Sequence, residues 1–344
     1  MRKKKIFISC ESQDLVLLGR VLATGLWSAG RIRASRQVRL AGRAREMVWF
    51  RLRSLTTLGV CAGASALHAY TITTVGASKP MLFLSDLDGT LHGVSAEAQA
   101  GLGRWRAFWR QTEAPIGSVL CYNTGRCITD YLTVLQPELP VPDVLITGDG
   151  TEIRWCVEGT LELDDEWAQL VNCSWKRVQQ RLLARMNVDE EGHIDCLNAV
   201  SNSPPHGEAR WAITVLGEEN ALARAEEYRR DFGADVSFYT MSGWGEPKSH
   251  LVVAVPAMCG KANAARYVQR KLGFPHAACV AAGDSENDLP MLEFSFIMVA
   301  NAVDNLVKAF GAASRSDLHY RAASTHANGV VEGLEHFRRQ LDRT

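Results

Sequence analysis

From Met81 the chain runs MLFLSDLDGTL, an apolar stretch that gives way abruptly to Asp86-Leu87-Asp88-Gly89-Thr90. Such a run predicts a buried strand, and the polar break predicts a tight loop at its carboxyl end. The pattern recurs. Ile116–Leu120, Val144–Thr147, Ala278–Ala282 and Phe296–Ala300 are short apolar runs, each followed by a polar or glycine-bearing loop. Helical spacing lies between them: Leu102, Trp105, Phe108 and Trp109 share a face within Ala96–Arg110, and Ala264, Tyr267 and Val268 follow Gly260-Lys261. Leu306 and Val307 mark another helix, and Val330, Leu334 and Phe337 a last amphipathic one. Strands alternating with helices predict an α/β fold with a parallel sheet.

One region breaks the rhythm. Trp167–Met186 and Ala221–Phe232 have helical spacing, while Ala212–Leu216 and Asp235–Met241 are strand-like. This order suits a smaller α+β unit inserted into the first domain. The expected division is a core of 80–153 and 249–344, with residues 154–248 inserted. Leu251–Pro256 is expected to return the chain to the main sheet.

Charge divides the chain differently. Residues 1–79 hold 14 Lys and Arg against 3 Asp and Glu, and the remainder holds 24 against 35. An acidic body argues against nucleic acid as the main partner. Nine cysteines without metal-ligand spacing suit reduced thiols in a non-secreted, cytoplasmic protein. The basic front is rich in Arg and poor in acids, as plastid and other organelle transit peptides are. Leu55–Ala77 carries no Asp, Glu, Lys or Arg, and it is diluted by Thr, Gly, Ser and His68. It reads as a targeting segment, a membrane span or a plain extension.

The candidate chemistry sits in the loops. Asp86 and Asp88 follow the first strand, with alternation placing them on one side of the backbone. Cys121-Tyr122-Asn123-Thr124-Gly125-Arg126 follows the second, Gly260-Lys261 opens a helix, and Gly283-Asp284-Ser285-Glu286-Asn287-Asp288 follows a later strand. In an open parallel sheet these loops share one edge, where ligands bind. A carboxylate cluster there suits a hard divalent cation, and Mg²⁺ is usual where a phosphate shares the site. A hydroxyl and an ammonium suit phosphate oxygens. One carboxylate can attack phosphorus and a second can carry a proton.

DLDGT, the Thr124 loop, Lys261 and GDSEND resemble the four motifs of the haloacid dehalogenase superfamily of phosphohydrolases. Spacing agrees too: Thr124 follows Asp86 by 38 residues, and Lys261 follows Thr124 by 137. The resemblance implies a Rossmann-like (HAD-like) parallel-sheet core with a type II α+β cap inserted before Lys261. More narrowly, YNTGR at Tyr122–Arg126, GTEI at Gly150–Ile153, GKANA at Gly260–Ala264 and HYRAAST-H at His319–His326 are similar to the sucrose-phosphate phosphatases. That family's chemistry implies Asp86 as nucleophile and Asp88 as general acid/base. Thr124, Gly125 and Lys261 would hold the phosphoryl group. Asp86, the Asp88 backbone carbonyl and Asp284 would bind Mg²⁺, supported by Asn287 and Asp288. The implied substrate is a sugar phosphate, foremost sucrose 6-phosphate. The family commonly has a larger polar residue and Thr-Trp where this chain has Gly89, Thr90 and Leu91, and Trp211 is followed here by Ala212. These departures keep open another glycosyl phosphate as substrate, or a broad specificity. The resemblance also admits a non-catalytic module partnering a sucrose-phosphate synthase.

Overall fold

The computed structural model describes residues 6–9, 16–19, 78–186, 209–242, 249–313, 315 and 317–343. The chain divides into two units, Met1–Val75 and Gly76–Thr344. In the first, β1 (Ile6–Ser9) pairs antiparallel with β2 (Val16–Gly19). The Arg-rich run, Leu55–Ala77 and the Gly243–Pro247 loop lie outside the described residues. Among the described residues no helix is long and apolar enough to cross a membrane.

The second unit begins with β3 (Leu82–Ser85), α1 (Ala96–Phe108), β4 (Val119–Asn123), the single turn α2 (Ile128–Asp130) and β5 (Val144–Thr147). Next come β6 (Glu152–Val157), β7 (Thr160–Leu163), α3 (Asp165–Met186), β8 (Trp211–Leu216), α4 (Glu218–Phe232), β9 (Val236–Ser242) and β10 (Ser249–Pro256). It closes with α5 (Lys261–Leu272), β11 (Cys279–Gly283), β12 (Ser295–Met298), α6 (Asp304–Ala313), β13 (His319–Arg321) and α7 (His326–Leu341).

Eight strands form the main sheet in the order β13-β12-β11-β3-β4-β5-β6-β7. The first six run parallel, and β6 and β7 are antiparallel additions. β3 is covered on both faces, which is why its sequence shows no polar alternation. Leu82 and Leu84 pack on one side with Cys121, Val144 and Ile146. Met81 and Phe83 pack on the other, with Trp105 and Trp109 near α1 and Leu334 and Phe337 on α7. The Phe83 and Trp105 ring centres are 5.5 Å apart, and those of Trp105 and Trp109 are 5.4 Å apart. A buried pair ties this layer together. Arg338 of α7 donates to Glu113, Ser118 Oγ donates to Glu113 at 2.7 Å, and Met81 N donates to Ser118 at 3.1 Å. From β3 the chain moves to β4 on one side and later returns to β11 on the other. That topological switch point opens a crevice at the carboxyl end of β3.

A second, three-stranded antiparallel sheet has the order β8-β10-β9. α4 covers it, with Tyr228 and Phe232 stacked on Trp211 and Phe238. Two expectations are corrected here. Leu251–Pro256 lies in β10, the centre of this small sheet and not a strand of the main one. Glu152–Leu163 forms a hairpin on the main sheet edge and does not start the insertion. Val252, Val253 and Ala254 are fully buried, so β10 reads like a central parallel strand. An apolar run alone does not separate the two cases. The hairpin turns through Glu158 and Gly159, both at positive φ (53° and 84°), the geometry of a tight two-residue turn.

Asp164 closes the junction beyond that hairpin. It accepts from Trp155 Nε1 at 2.6 Å, Trp167 N at 2.9 Å, Tyr267 Oη at 3.0 Å and Lys271 Nζ at 2.6 Å. The start of α3 is thereby fastened to α5.

Candidate active site

Ser85 lies opposite Tyr122 and Ala282, so the loops after β3, β4 and β11 leave the sheet side by side. Asp86 N still donates to Ala282 O at 3.0 Å, which fixes its carboxylate at the mouth of the crevice. Lys261, the first residue of α5, reaches in from below the small sheet. Its Nζ lies 2.8 Å from Asp86 Oδ1 and 2.7 Å from Asp288 Oδ1. The other Asp288 oxygen accepts from the backbone amides of Asp284 (2.9 Å) and Ser285 (3.1 Å), capping the helical turn that follows. Asp284 Oδ1 accepts from Thr90 Oγ1 at 2.6 Å. Oxygens of Asp86, Asp284 and Asp288 lie within 4.8 Å of one another. Distant segments thus meet as the sequence predicts.

The loop that allows this is tight. Gly89 sits at φ +77°, and a Cβ there would stand 2.2 Å from Asp284 Oδ2. The larger polar residue expected at this position from the resemblance does not fit beside Asp284 as it is placed here.

The electrostatics favour a cation. Asp86, Lys261, Asp284 and Asp288 are all buried. Three carboxylates against one ammonium leave a formal charge of −2, which a single divalent ion neutralises. Burial raises the Asp86 carboxyl well above the usual range despite the opposing pull of Lys261. Burial, then the Asp288 charge, pushes Asp284 up to about 7. Burial would lower Lys261, but the Asp288 and Asp86 charges outweigh it and hold the ammonium above its ordinary value. Oxygen-only donors of this charge fit Mg²⁺. Asp86 and Asp284 have the free oxygens for it, whereas Asp288 is saturated by Lys261 and two amides.

Asp88 is placed differently. Its carboxylate is held by the Arg126 fork, Nε at 2.6 Å and Nη2 at 2.7 Å. Thr124 is buried, and its Oγ1 accepts from Arg126 N at 3.1 Å, leaving the hydroxyl hydrogen to donate. Gly125 packs on Asp149, where a Cβ would sit 3.1 Å from Oδ1. Asn287 does not face the cluster: its Nδ2 donates to Asp149 Oδ1 at 2.9 Å. A cleft of about 270 Å³ adjoins Lys261 and Asp149, with Tyr239, Asn263, Arg266 and Glu286 in its walls.

Several residues with a part here carried little signal in the sequence. Thr90 was visible only as the end of DLDGT, and Arg126 only as the end of YNTGR. Asp149, an acid between two glycines, reads as a turn. Asn301 donates to Gly89 O at 2.7 Å and accepts from His326 N at 2.9 Å, so the HYRAAST-H tail braces the nucleophile loop.

The chain is similar to known phosphatases over most of its second unit. The model of the sucrose-6F-phosphate phosphohydrolase family matches residues 79–188 and 248–338, more than half of the chain. The mannosylfructose-phosphate phosphatase of Agrobacterium fabrum is 28% identical over 265 residues, covering 75% of this chain and 98% of that protein. A 5-amino-6-(5-phospho-D-ribitylamino)uracil phosphatase of Bacillus subtilis is 26% identical, covering 66% of this chain and 89% of its own. In fold, the chain is similar to the sucrose-phosphatase of a Synechocystis strain, solved with sucrose and phosphate. The TM-score is 0.60 at 23% identity, covering 75% of this chain and 98% of that one. A haloacid dehalogenase-like hydrolase of Bacillus subtilis aligns with a TM-score of 0.51 at 17% identity, covering 76% and 93%. With its HAD-like α/β fold and this match, the chain belongs to the sucrose-6F-phosphate phosphohydrolase family and is a phosphoric monoester hydrolase.

Proposed function

We propose that this chain is a Mg²⁺-dependent sugar-phosphate phosphatase acting on sucrose 6-phosphate through an aspartyl-phosphate on Asp86. The observation that carries the reading is the buried Asp86–Lys261–Asp288 chain beside Asp284, at the switch point of a parallel sheet. Asp86 and Asp284 would hold Mg²⁺, with the Asp88 backbone carbonyl and with Asp288 in support, while Asn287, turned to Asp149, would steady the loop and not the ion. The ion would supply positive charge to the transferring phosphoryl oxygens.

The chain's own groups carry the bonds. An Asp86 oxygen attacks phosphorus, and the bond from phosphorus to the sugar oxygen breaks. Asp88, a carboxylate while Arg126 holds it, takes a proton from solvent on release and gives that proton to the sugar oxygen, freeing the sugar. Asp88, now a carboxylate, takes a proton from water as the water oxygen attacks phosphorus. The bond to Asp86 breaks, and phosphate leaves. Thr124 Oγ, the Gly125 amide and Lys261 Nζ orient the phosphoryl oxygens. Arg126 holds Asp88 until the phosphoryl group competes for the guanidinium. The small sheet with α3 and α4 serves as the cap, excluding water from the phosphoryl-enzyme. Asn263, Arg266 and Glu286 in the walls of the adjoining cleft offer polar groups to glycosyl hydroxyls.

The test is phosphate release from a panel of sugar phosphates with Mg²⁺ and with EDTA. Release from sucrose 6-phosphate that EDTA abolishes supports the proposal, and no release from any sugar phosphate overturns it. Asp86→Asn should abolish turnover with an unchanged circular dichroism spectrum, because an amide cannot form the acyl phosphate. Retained activity would remove Asp86 from the nucleophile role.

A second reading is a different glycosyl phosphate as substrate. It is favoured by Gly89, Leu91 and Ala212, and by a 28% identical relative named for mannosylfructose phosphate. A rate on that substrate above the rate on sucrose 6-phosphate would select it.

A further inference from the structure

Asp149 is a buried carboxylate that the phosphoryl chemistry does not use. It sits between Gly148 and Gly150 at φ 53° and ψ 42°, a left-handed conformation that a residue with a side chain adopts only when its surroundings enforce it. The surroundings are three loops of the site and one strand of the small sheet. Its backbone N donates to Thr124 O at 3.1 Å. Its backbone O accepts from Gly260 N, the residue before Lys261, at 3.0 Å. Its Oδ1 accepts from Asn287 at 2.9 Å, and Oδ2 faces Arg210 Nε at 2.9 Å. Arg210 directly precedes β8, and the buried Tyr239 hydroxyl on β9 faces the same pair.

We propose that Asp149 is a positioning residue, and that its pair with Arg210 couples the seating of the small sheet to the loops bearing Thr124, Lys261 and Asn287. The proposal rests on the phosphatase reading and on the small sheet acting as a cap. When that sheet lifts, Arg210 leaves with it. With Arg210 gone, the cation left to this enclosed carboxylate is the more distant Lys261 ammonium, and the carboxylate does not keep its place. It turns, and the Gly260 and Asn287 contacts turn with it. The Lys261 ammonium is then mis-set until the cap is seated again. Closure would thus assemble the site as well as cover it. A merely structural ion pair would add stability and leave the chemistry untouched.

Arg210→Met removes the charge and keeps the reach. Backbone hydrogen exchange in the full chain should rise at the peptide containing Gly260, at least about tenfold, since its amide bond to Asp149 loosens. Turnover should fall by about 10²-fold, the cost of misplacing reacting groups by roughly 1 Å. The loss should lie in kcat, on sucrose 6-phosphate and p-nitrophenyl phosphate alike, with KM moving by less than about threefold. Arg210→Lys should recover most of it. Asp149→Asn should cost a similar factor, and the double variant should be no slower than the slower single one, as expected for residues acting through one contact. Unchanged exchange at Gly260, or unchanged kcat with only a lowered Tm, overturns the proposal. So do multiplicative losses in the double variant. Should the wild-type chain release phosphate from nothing in the panel, the phosphatase reading fails separately, and the exchange measurement alone decides the coupling.

Discussion

Gly89→Ala offers the sharpest test of the site's geometry. The new Cβ would lie 2.2 Å from Asp284 Oδ2, 2.6 Å from its Cγ and 2.9 Å from Oδ1. Ordinary contact begins near 3.4 Å, so the carboxylate must withdraw by about 1.2 Å, the difference from 2.2 Å. Withdrawal strains the 2.6 Å bond from Thr90, a charge-assisted contact of about 1.5–3 kcal/mol. The backbone at φ +77° adds roughly 1–2 kcal/mol once a Cβ is present. Together these predict a folded protein with a lowered Tm. Under the proposed function, a displacement of about 1 Å at Asp284 predicts a loss of about 10²-fold in kcat and a raised Mg²⁺ requirement. The assay is phosphate release against Mg²⁺ concentration, alongside Gly103→Ala as control. Gly103 has nothing within 4 Å of its virtual Cβ, so that variant should keep full activity and gain slightly in Tm. Wild-type kcat and Mg²⁺ dependence in Gly89→Ala would refute the assigned position of Asp284.

Other outcomes follow from the same charges. Asp284 is an acid whose folded value, about 7, lies above its ordinary 3.8, so the metal-free fold binds the extra proton. Its Tm in EDTA should therefore fall as pH rises from about 4 to about 7, and the Tm gain on adding Mg²⁺ should grow over the same range; a flat gain would contradict the raised value. Lys261→Met should leave three buried carboxylates without their ammonium, lowering stability by about 3–5 kcal/mol in urea titration and abolishing turnover. Near-wild-type stability would show that the cluster is better solvated than its burial implies. Arg126→Lys should lose the two-pronged grip on Asp88 and slow phosphate release by about tenfold, because one ammonium cannot reproduce the fork; an unchanged rate would remove Arg126 from the reaction.

Much of the candidate site's placement is legible in the sequence because each group is announced by a strand end. Asp86, Thr124 and Asp284 each follow an apolar run, and parallel order brings such ends to one edge regardless of separation. Lys261 was marked by the glycine before its helix. The rest depended on which partner a side chain chooses. Asn287 lies one residue from Asp288, yet it turns to Asp149, which no local pattern reveals. Arg126 pairs with Asp88 across the two loops after β3 and β4, a contact set by strand register and not by spacing. β10 reads in sequence as a strand of the main sheet because burial on both faces leaves the same apolar run in a small antiparallel sheet as in a large parallel one.

The backbones of Gly150 and Gly260 pass so closely that a Cβ on the first would meet the second's carbonyl oxygen at 2.6 Å. Outgoing and returning segments are therefore neighbours, and beyond the β6–β7 hairpin, which stays on the main sheet, the chain leaves and re-enters at one place. On the cap reading proposed above, a descendant chain can trade the piece beyond that hairpin, and with it the walls that meet the sugar, while the loops at the edge of the main sheet stay as they were.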